Sequence, residues 1–351
     1  MGSLPKFHIL TAPGELVSIH NTMNPFIPAS IKFSSNMKKL GWDSFIYASH
    51  TDGTVENTID LKAVTTENLN RSFVIQDYCV RAGKEIKKLS SPGDIILCYY
   101  GVENKLATTM NSDLLVVEPS IGYNLDAVFC DHRIFTSNSQ MNIFYGKKGI
   151  GIMEPSIKDC VIPNAFTVSE FEYSDKKEDY IIVFGRKVYE KGIKPAIEAA
   201  LKAKTNIIIA GTGSLKELGL DDYLNNPLVK EIGLCNKQQR LHLLKNAKAV
   251  VGLTKYSEPF GNMVIEGYLS GTPAITSDWG AFSETVIEGV TGFRCRTIDE
   301  VVEAIHNIKY LSSKACRLWA EENYSEHIVH KKYDKYFKRL IYNGTNWINY
   351  N

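Results

Sequence analysis

Short β-rich apolar runs alternate with longer helical patterns from one end of this chain to the other. In the first half, Phe7–Thr11, Ser44–Ala48, Asp94–Tyr99, Leu114–Val117 and Arg133–Thr136 read as buried strands. Met23–Leu40 and Val74–Leu89 lie between them at helical spacing and end near Gly41 and Pro92. In the second half the strand candidates are Tyr180–Gly185, Asn206–Ala210, Ala249–Leu253, Pro273–Ile275 and Gly292–Cys295. The helices expected there are Ile193–Ala203, Asn236–Asn246, Asn262–Leu269 and Ile298–Lys309. Parallel strands need a crossover between them, usually a helix, so this alternation predicts an α/β fold with parallel sheets. The chain has 351 residues, more than one core usually serves, which predicts two such units. Their join falls at Pro163–Ser174, where Ile-Pro-Asn-Ala gives way to the polar run Glu170–Lys177. The expected division is 1–165, 166–325 and a helical tail, 326–351, packing back toward the first unit.

Composition removes several classes. Hydrophobic residues make up 44% and charged residues 23%, which excludes disorder as the main state. The balance of 40 Lys+Arg against 39 Asp+Glu argues against a protein that grips nucleic acid through many phosphates. Neither half departs from that balance: residues 1–165 carry 15 basic and 16 acidic side chains, and residues 166–351 carry 25 and 23. Cys79, Cys98, Cys130, Cys160, Cys235, Cys295 and Cys316 are scattered, with no CxxC pair for zinc or redox work, and read as reduced intracellular thiols. No apolar run approaches the roughly 20 residues of a membrane helix. A cytoplasmic location is expected. Residues 320–341 form one basic, aromatic helical segment with His327, His330, Lys331, Lys332, Lys335, Lys338 and Arg339. It reads as a solvated helix face, with peripheral contact to acidic lipid as the alternative.

The chemistry concentrates between Gly185 and Gly292. Gly185-Arg186 follows a strand, and Glu190-Lys191-Gly192 precedes a helix, which sets Arg186 and Lys191 at the carboxyl edge of a parallel sheet. Ligands bind at that edge in open α/β folds, and two fixed cations suit a diphosphate. Gly211-Thr212-Gly213 ends the next strand in a turn that lets backbone approach a ligand, or that simply allows the turn. Then comes Ser257-Glu258-Pro259-Phe260-Gly261-Asn262-Met263-Val264-Ile265-Glu266, in which a helix opens near Phe260 or Gly261. Amides at such a helix mouth form an anion site. On one continuous helix Glu258 and Glu266 would stand about 12 Å apart, beyond the roughly 5–9.5 Å of a glycosidase pair. They suit the two ends of one extended ligand. Asp278-Trp279-Gly280-Ala281-Phe282-Ser283-Glu284 and Gly289-Val290-Thr291-Gly292-Phe293 add loops at the same edge, with Ser283 alternatively a helix cap.

This ordered set over about residues 180–295 resembles the retaining glycosyltransferases of family four, which have the GT-B fold of two Rossmann-like domains facing across a cleft. The resemblance implies an acceptor-side first domain and a second domain that binds a nucleotide-sugar donor. Arg186 and Lys191 would hold the diphosphate and stabilise the leaving group. Glu258 would contact sugar hydroxyls, the amides of Phe260, Gly261 and Asn262 would hold sugar and phosphate, and Glu266 would accept from the ribose hydroxyls. Gly211, Gly213 and the Ile232-Gly233 turn would approach the nucleoside. No Asp-x-Asp pair occurs, which agrees with catalysis that needs no metal and no cofactor beyond the donor. The acceptor would be a glycan or a lipid-linked hydroxyl.

The first half departs from the family pattern. Its first loop, Thr11-Ala12-Pro13-Gly14-Glu15, supplies Gly14 where members often have two glycines, and Val117–Tyr123 lacks the usual sugar-site histidine. Glu118 is the candidate for that place; His20 and Asp131, with His132, are the other acceptor-side candidates. A sugar phosphorylase or epimerase of the same fold, and a nucleotide-sugar-binding regulator without turnover, are the alternative readings.

Overall fold

A computed structural model describes residues 4–21, 24–65, 69–149, 156 and 158–342. Met23, the first residue of the first expected helix, and residues 343–351 of the tail lie outside them. The described chain divides into two units.

The first unit comprises residues up to Thr136, Ile143–Ile162 and the stretch from His330 onward. Its strands are β1 (Phe7–Leu10), β2 (Leu16–Val17), β3 (Ser44–Ala48), β4 (His50–Thr51), β5 (Thr58–Asp60), β6 (Ile95–Cys98), β7 (Leu115–Ile121), β8 (His132–Phe135) and β9 (Cys160–Val161). Among the described residues seven of them form one parallel sheet in the order β5-β3-β1-β6-β7-β8-β9. Strands β1 and β6 are buried at every position, and a strand covered on both faces reads as an unbroken apolar run. Helices α1 (Phe26–Lys39), α2 (Arg71–Leu89) and α3 (Lys105–Thr109) belong to this unit. Phe7 stacks on Trp42 at 4.8 Å and meets Phe337 at 4.7 Å, and Trp42 Nε1 donates to Asp334 at 2.8 Å. Asp334 and Phe337 are thereby built into this core.

The expected single segment 320–341 is two helices, α10 (Ser313–Tyr324) and α11 (Glu326–Tyr342). Ser325 between them is extended and bridges to Phe166, whose amide donates to the Tyr324 carbonyl at 2.9 Å. Along α11, Val329, Tyr333, Tyr336 and Phe337 are buried, while Lys331, Lys332, Lys335 and Arg339 are exposed. No helix among the described residues is long and apolar enough to cross a membrane.

The second unit comprises Ser137–Asn142 and Pro163–Val329. The first of these stretches opens α4 (Asn138–Lys147). Strands β10 (Tyr180–Phe184), β11 (Asn206–Ala210), β12 (Val229–Ile232), β13 (Ala249–Gly252), β14 (Ala274–Ser277) and β15 (Gly292–Cys295) form a parallel sheet in the order β12-β11-β10-β13-β14-β15. Helices α5 (Ile193–Lys202), α6 (Lys237–Asn246), α7 (Asn262–Leu269), α8 (Phe282–Thr285) and α9 (Ile298–Asn307) connect or follow these strands. Ile181, Val183, Ile207, Ile209, Val251 and Ile275 build one core; Ile182, Ile208, Val250 and Leu244 build another. Alternate residues of one strand thus serve opposite faces. Capping boxes at Asn236/Gln239 and Thr297/Glu300 start α6 and α9.

Candidate functional site

Because the strands of the second sheet are parallel, the loops after β10, β11, β12, β13 and β14 all emerge at its carboxyl edge. The loops after β10 and β11 are bonded to each other. Gly185 N–H donates to the Ala210 carbonyl at 3.0 Å, and Lys187 N–H donates to the Thr212 carbonyl at 2.7 Å. Only glycine fits at 211: its φ is +134°, and a Cβ there would lie 1.9 Å from the Gly185 carbonyl oxygen. Gly211 N–H in turn faces the carbonyls of Ile232 and Gly233 at 3.3 and 3.1 Å. The Gly-Arg turn, the Gly-x-Gly turn and the end of β12 are one continuous backbone surface.

Lys191 ends a short 3-10 turn, Tyr189–Lys191, before α5. Its Nζ pairs with Glu258 Oε2 at 3.0 Å and lies 5.1 Å from the centre of the Tyr256 ring. Tyr256 Oη donates to the same carboxylate oxygen at 2.8 Å. Burial pushes the Tyr256 phenol up, and the Glu258 charge adds to that rise. Tyr256 therefore stays a hydrogen-bond donor and fixes Glu258 beside the cation. Arg186 is exposed at the same edge, and its charge reaches Tyr256, where it acts against the rise.

Gly261 is the N-cap of α7, in a left-handed conformation (φ +86°) where a Cβ would meet the Phe282 ring at 2.6 Å. No side chain caps this end, so its amides face the loop edge, as an anion site requires. The Phe260 side chain is buried against Phe166 and Tyr324, which leaves its backbone at the helix mouth. Asn262 is exposed and accepts from Asn164 Nδ2 at 2.8 Å. Since α7 begins at Asn262, Glu258 belongs to the preceding loop, and the helical rise expected between Glu258 and Glu266 does not run the whole way. Glu266 is buried in α7 and its Oε2 pairs with Arg240 of α6. Its Oε1 has no hydrogen-bond partner among the described residues.

The last loop locks onto this one. Ala281 N–H donates to the Glu258 carbonyl at 2.9 Å, and Trp279 Nε1 donates to the Tyr256 carbonyl at 3.2 Å. Glu284 accepts from Asn138 N, Asn138 Nδ2 and Ser139 N at 2.7–2.9 Å, and so caps the start of α4. Ser283 is not a helix cap: α8 has Ala281 at its N-cap, and Ser283 Oγ donates back to the Gly280 carbonyl.

The first-unit candidates differ in their surroundings. Glu118 is not in a sheet-edge loop; β7 runs on through Pro119 to Ile121, with a register shift after Glu118. The side chain is fully buried, accepting from the Tyr123 hydroxyl and from the Phe129 and Cys130 amides, both at 3.1 Å. Burial raises its pKa despite those donors. Gly14 takes φ +80° and donates to Ser49 Oγ at 2.7 Å; His20 and Asp131 are exposed. Burial, with Lys158 adding to it, depresses His132 to about 4. Among the described residues no hydrogen bond or ion pair joins Gly14, His20, Glu118 and Asp131, and no three His, Cys, Asp or Glu side chains gather as a metal-ligand set.

Three second-unit residues escape the sequence reading: Tyr256, Arg240 and Lys187. Arg240 carries a weak signal, lying four residues past the Asn236 cap on the helix that faces α7. Lys187 carries none, since a lysine beside an arginine in a loop reads as solvated. It is 3% exposed.

Residues 167–325 match the family model described as glycosyl transferases group 1. A 127-residue stretch is 33% identical to a glycogen synthase of Mycobacterium tuberculosis, spanning 34% of this chain and 30% of that protein. The chain thus matches about 30% of the length of this curated relative. Among solved structures, Anabaena HepE in complex with UDP-glucose aligns with a TM-score of 0.71 at 15% identity, covering 95% of this chain and all of that one. Sucrose-phosphate synthase from Thermosynechococcus elongatus aligns with a TM-score of 0.72 at 16% identity, covering 96% and 99%. At these identities the likeness shows the fold, which is GT-B with two parallel-sheet Rossmann-like domains.

Proposed function

We propose, from the match of residues 167–325 to the group 1 glycosyl transferases, that this chain moves a sugar from a nucleoside-diphosphate sugar to a hydroxyl acceptor with retention of anomeric configuration. The observation that carries the reading is the Lys191–Glu258 pair, set beside Arg186 on a backbone edge that admits only glycine at 211. Arg186 and Lys191 take the diphosphate, with Lys191 exchanging its carboxylate partner for phosphate oxygens as the donor enters. Charge grows on the phosphate as the glycosidic bond breaks, and fixed cations stabilise that charge more in the transition state than in the ground state. Glu258, released from Lys191 and still held by Tyr256, accepts from sugar hydroxyls. A leaving phosphate oxygen takes the acceptor proton on the same face. Oε1 of Glu266 accepts from the ribose while Arg240 holds Oε2. The UDP-glucose complex of HepE supports a nucleotide-sugar as the donor class.

The first unit serves the acceptor, a glycan or a lipid-linked hydroxyl. If the acceptor is lipid-linked, the exposed cations Lys331, Lys332, Lys335 and Arg339 would meet acidic headgroups. The test is a nucleotide-release assay over a panel of nucleotide-sugars and hydroxyl acceptors with excess chelator. Release that survives chelation is expected. Donor binding without release under any condition would leave the chain a non-catalytic binder, and strict metal dependence would contradict the role given to Arg186 and Lys191.

A further inference from the structure

Lys187 is a charged side chain almost sealed from solvent at the edge where the donor is proposed to lie. Its Nζ donates to the carbonyls of Gly211 at 2.7 Å, Ile232 at 3.0 Å and Gly213 at 3.1 Å, and pairs with Glu231 at 3.3 Å. An ammonium has three N–H donors, and the three carbonyls use all of them. Burying a cation is costly unless it is paired and fully hydrogen-bonded. Here the carboxylate of Glu231 supplies the counter-charge and the carbonyls supply the acceptors.

The consequence lies on the far side of those peptides. A trans peptide points its N–H opposite to its C=O. With the carbonyls of 211, 213 and 232 turned in toward one ammonium, the amides that share their peptide planes, those of Thr212, Ser214 and Gly233, turn away from it. None of the three has a hydrogen-bond partner among the described residues. The carbonyls come from the loop after β11 and from the last residue of β12, so a single side chain sets both.

We infer that Lys187 is a positioning residue for donor recognition: it acts as an internal cation that aims the Thr212, Ser214 and Gly233 amides at acceptor oxygens of the donor's nucleoside. This rests on the nucleotide-sugar reading above. Arg186 and Lys191 provide affinity for any diphosphate, whereas the amides aimed by Lys187 distinguish one nucleoside from another. Glu231 also accepts from Leu215 N–H at 2.9 Å, which carries the same restraint along the Gly-x-Gly loop.

The experiment titrates uridine, adenosine and guanosine 5′-diphosphates, and separately inorganic pyrophosphate, into the full chain and into Lys187→Met and Lys187→Arg. Lys187→Met should weaken the preferred nucleoside diphosphate about tenfold or more, as expected for losing charge-assisted hydrogen bonds. It should also level the preference among bases, with pyrophosphate binding unchanged. Lys187→Arg keeps the charge but replaces a point donor by a planar fork, and should fall between wild type and Lys187→Met. A folded variant with wild-type affinity and base preference overturns the inference. So does an equal loss of pyrophosphate binding, or failure of both variants to fold, since either makes Lys187 a part of the fold alone. If wild type binds pyrophosphate but no nucleoside diphosphate, the donor reading itself falls and takes this one with it.

Discussion

The carboxyl edges of the two sheets are built alike from parallel strands and differ in what their polar groups do. At the second edge they find one another across loops: Lys191 with Glu258 and Tyr256, Arg240 with Glu266, Lys187 with three carbonyls. At the first edge Arg71 pairs with Glu103 and donates to the Pro13 carbonyl at 2.8 Å, and Asn104 Nδ2 donates to the Thr11 carbonyl at 3.0 Å, but none of these is an acceptor-side candidate. Glu118 is turned inward and its oxygens are taken by Tyr123, Phe129 and Cys130, while His20 and Asp131 are exposed. A diphosphate has fixed charge and fixed geometry, and a site for it can be held ready by cations and close backbone. Among the described residues the acceptor-side candidates Gly14, His20, Glu118 and Asp131 are joined by no comparable set of contacts.

The largest effect should come from the second edge. Lys191→Ala removes a cation that is worth most when charge develops on the leaving phosphate, and should lower kcat about 10²–10³-fold in the release assay, with thermal stability close to wild type. An unchanged kcat would move the diphosphate elsewhere. A smaller effect, of a different kind, is expected from the first edge. Glu118→Ala leaves two buried amides without an acceptor and should cost about 1–3 kcal/mol of stability by denaturant unfolding, with donor affinity unchanged. Glu118→Gln keeps an acceptor for those amides and should instead flatten the pH dependence. The raised folded pKa of Glu118 means its contribution is fully present below the ordinary glutamate value and is lost as pH rises through the folded one. A loss of donor affinity in either variant would erase the distinction between the edges.

Much of the fold is legible in the sequence where strands are covered on both faces, as in Tyr180–Phe184 and Asn206–Ala210. The strands absent from that reading, β2, β4, β5, β9 and β12, all lie at sheet edges; such strands are short and show no apolar run. Glu118 misleads because β7 continues past the apolar residues through a proline and a bulge. The break at Ser325 carries no glycine or proline; its cause is pairing with Phe166, distant in sequence. The glycines Gly185, Gly192 and Gly261 around Arg186, Lys191 and Glu258 are legible because positive φ, with close neighbours at Gly192 and Gly261, leaves no other residue there. Lys187 is not, because nothing local marks a lysine as buried until the strand ends that surround it are assembled.

The most direct test is hydrogen exchange of the full chain with and without the nucleoside diphosphate released in the donor panel. Slowed exchange is expected over 185–192, 211–214 and 257–267, with no change over 115–135. Protection over 115–135 with none at 185–192 would contradict the donor-site assignment.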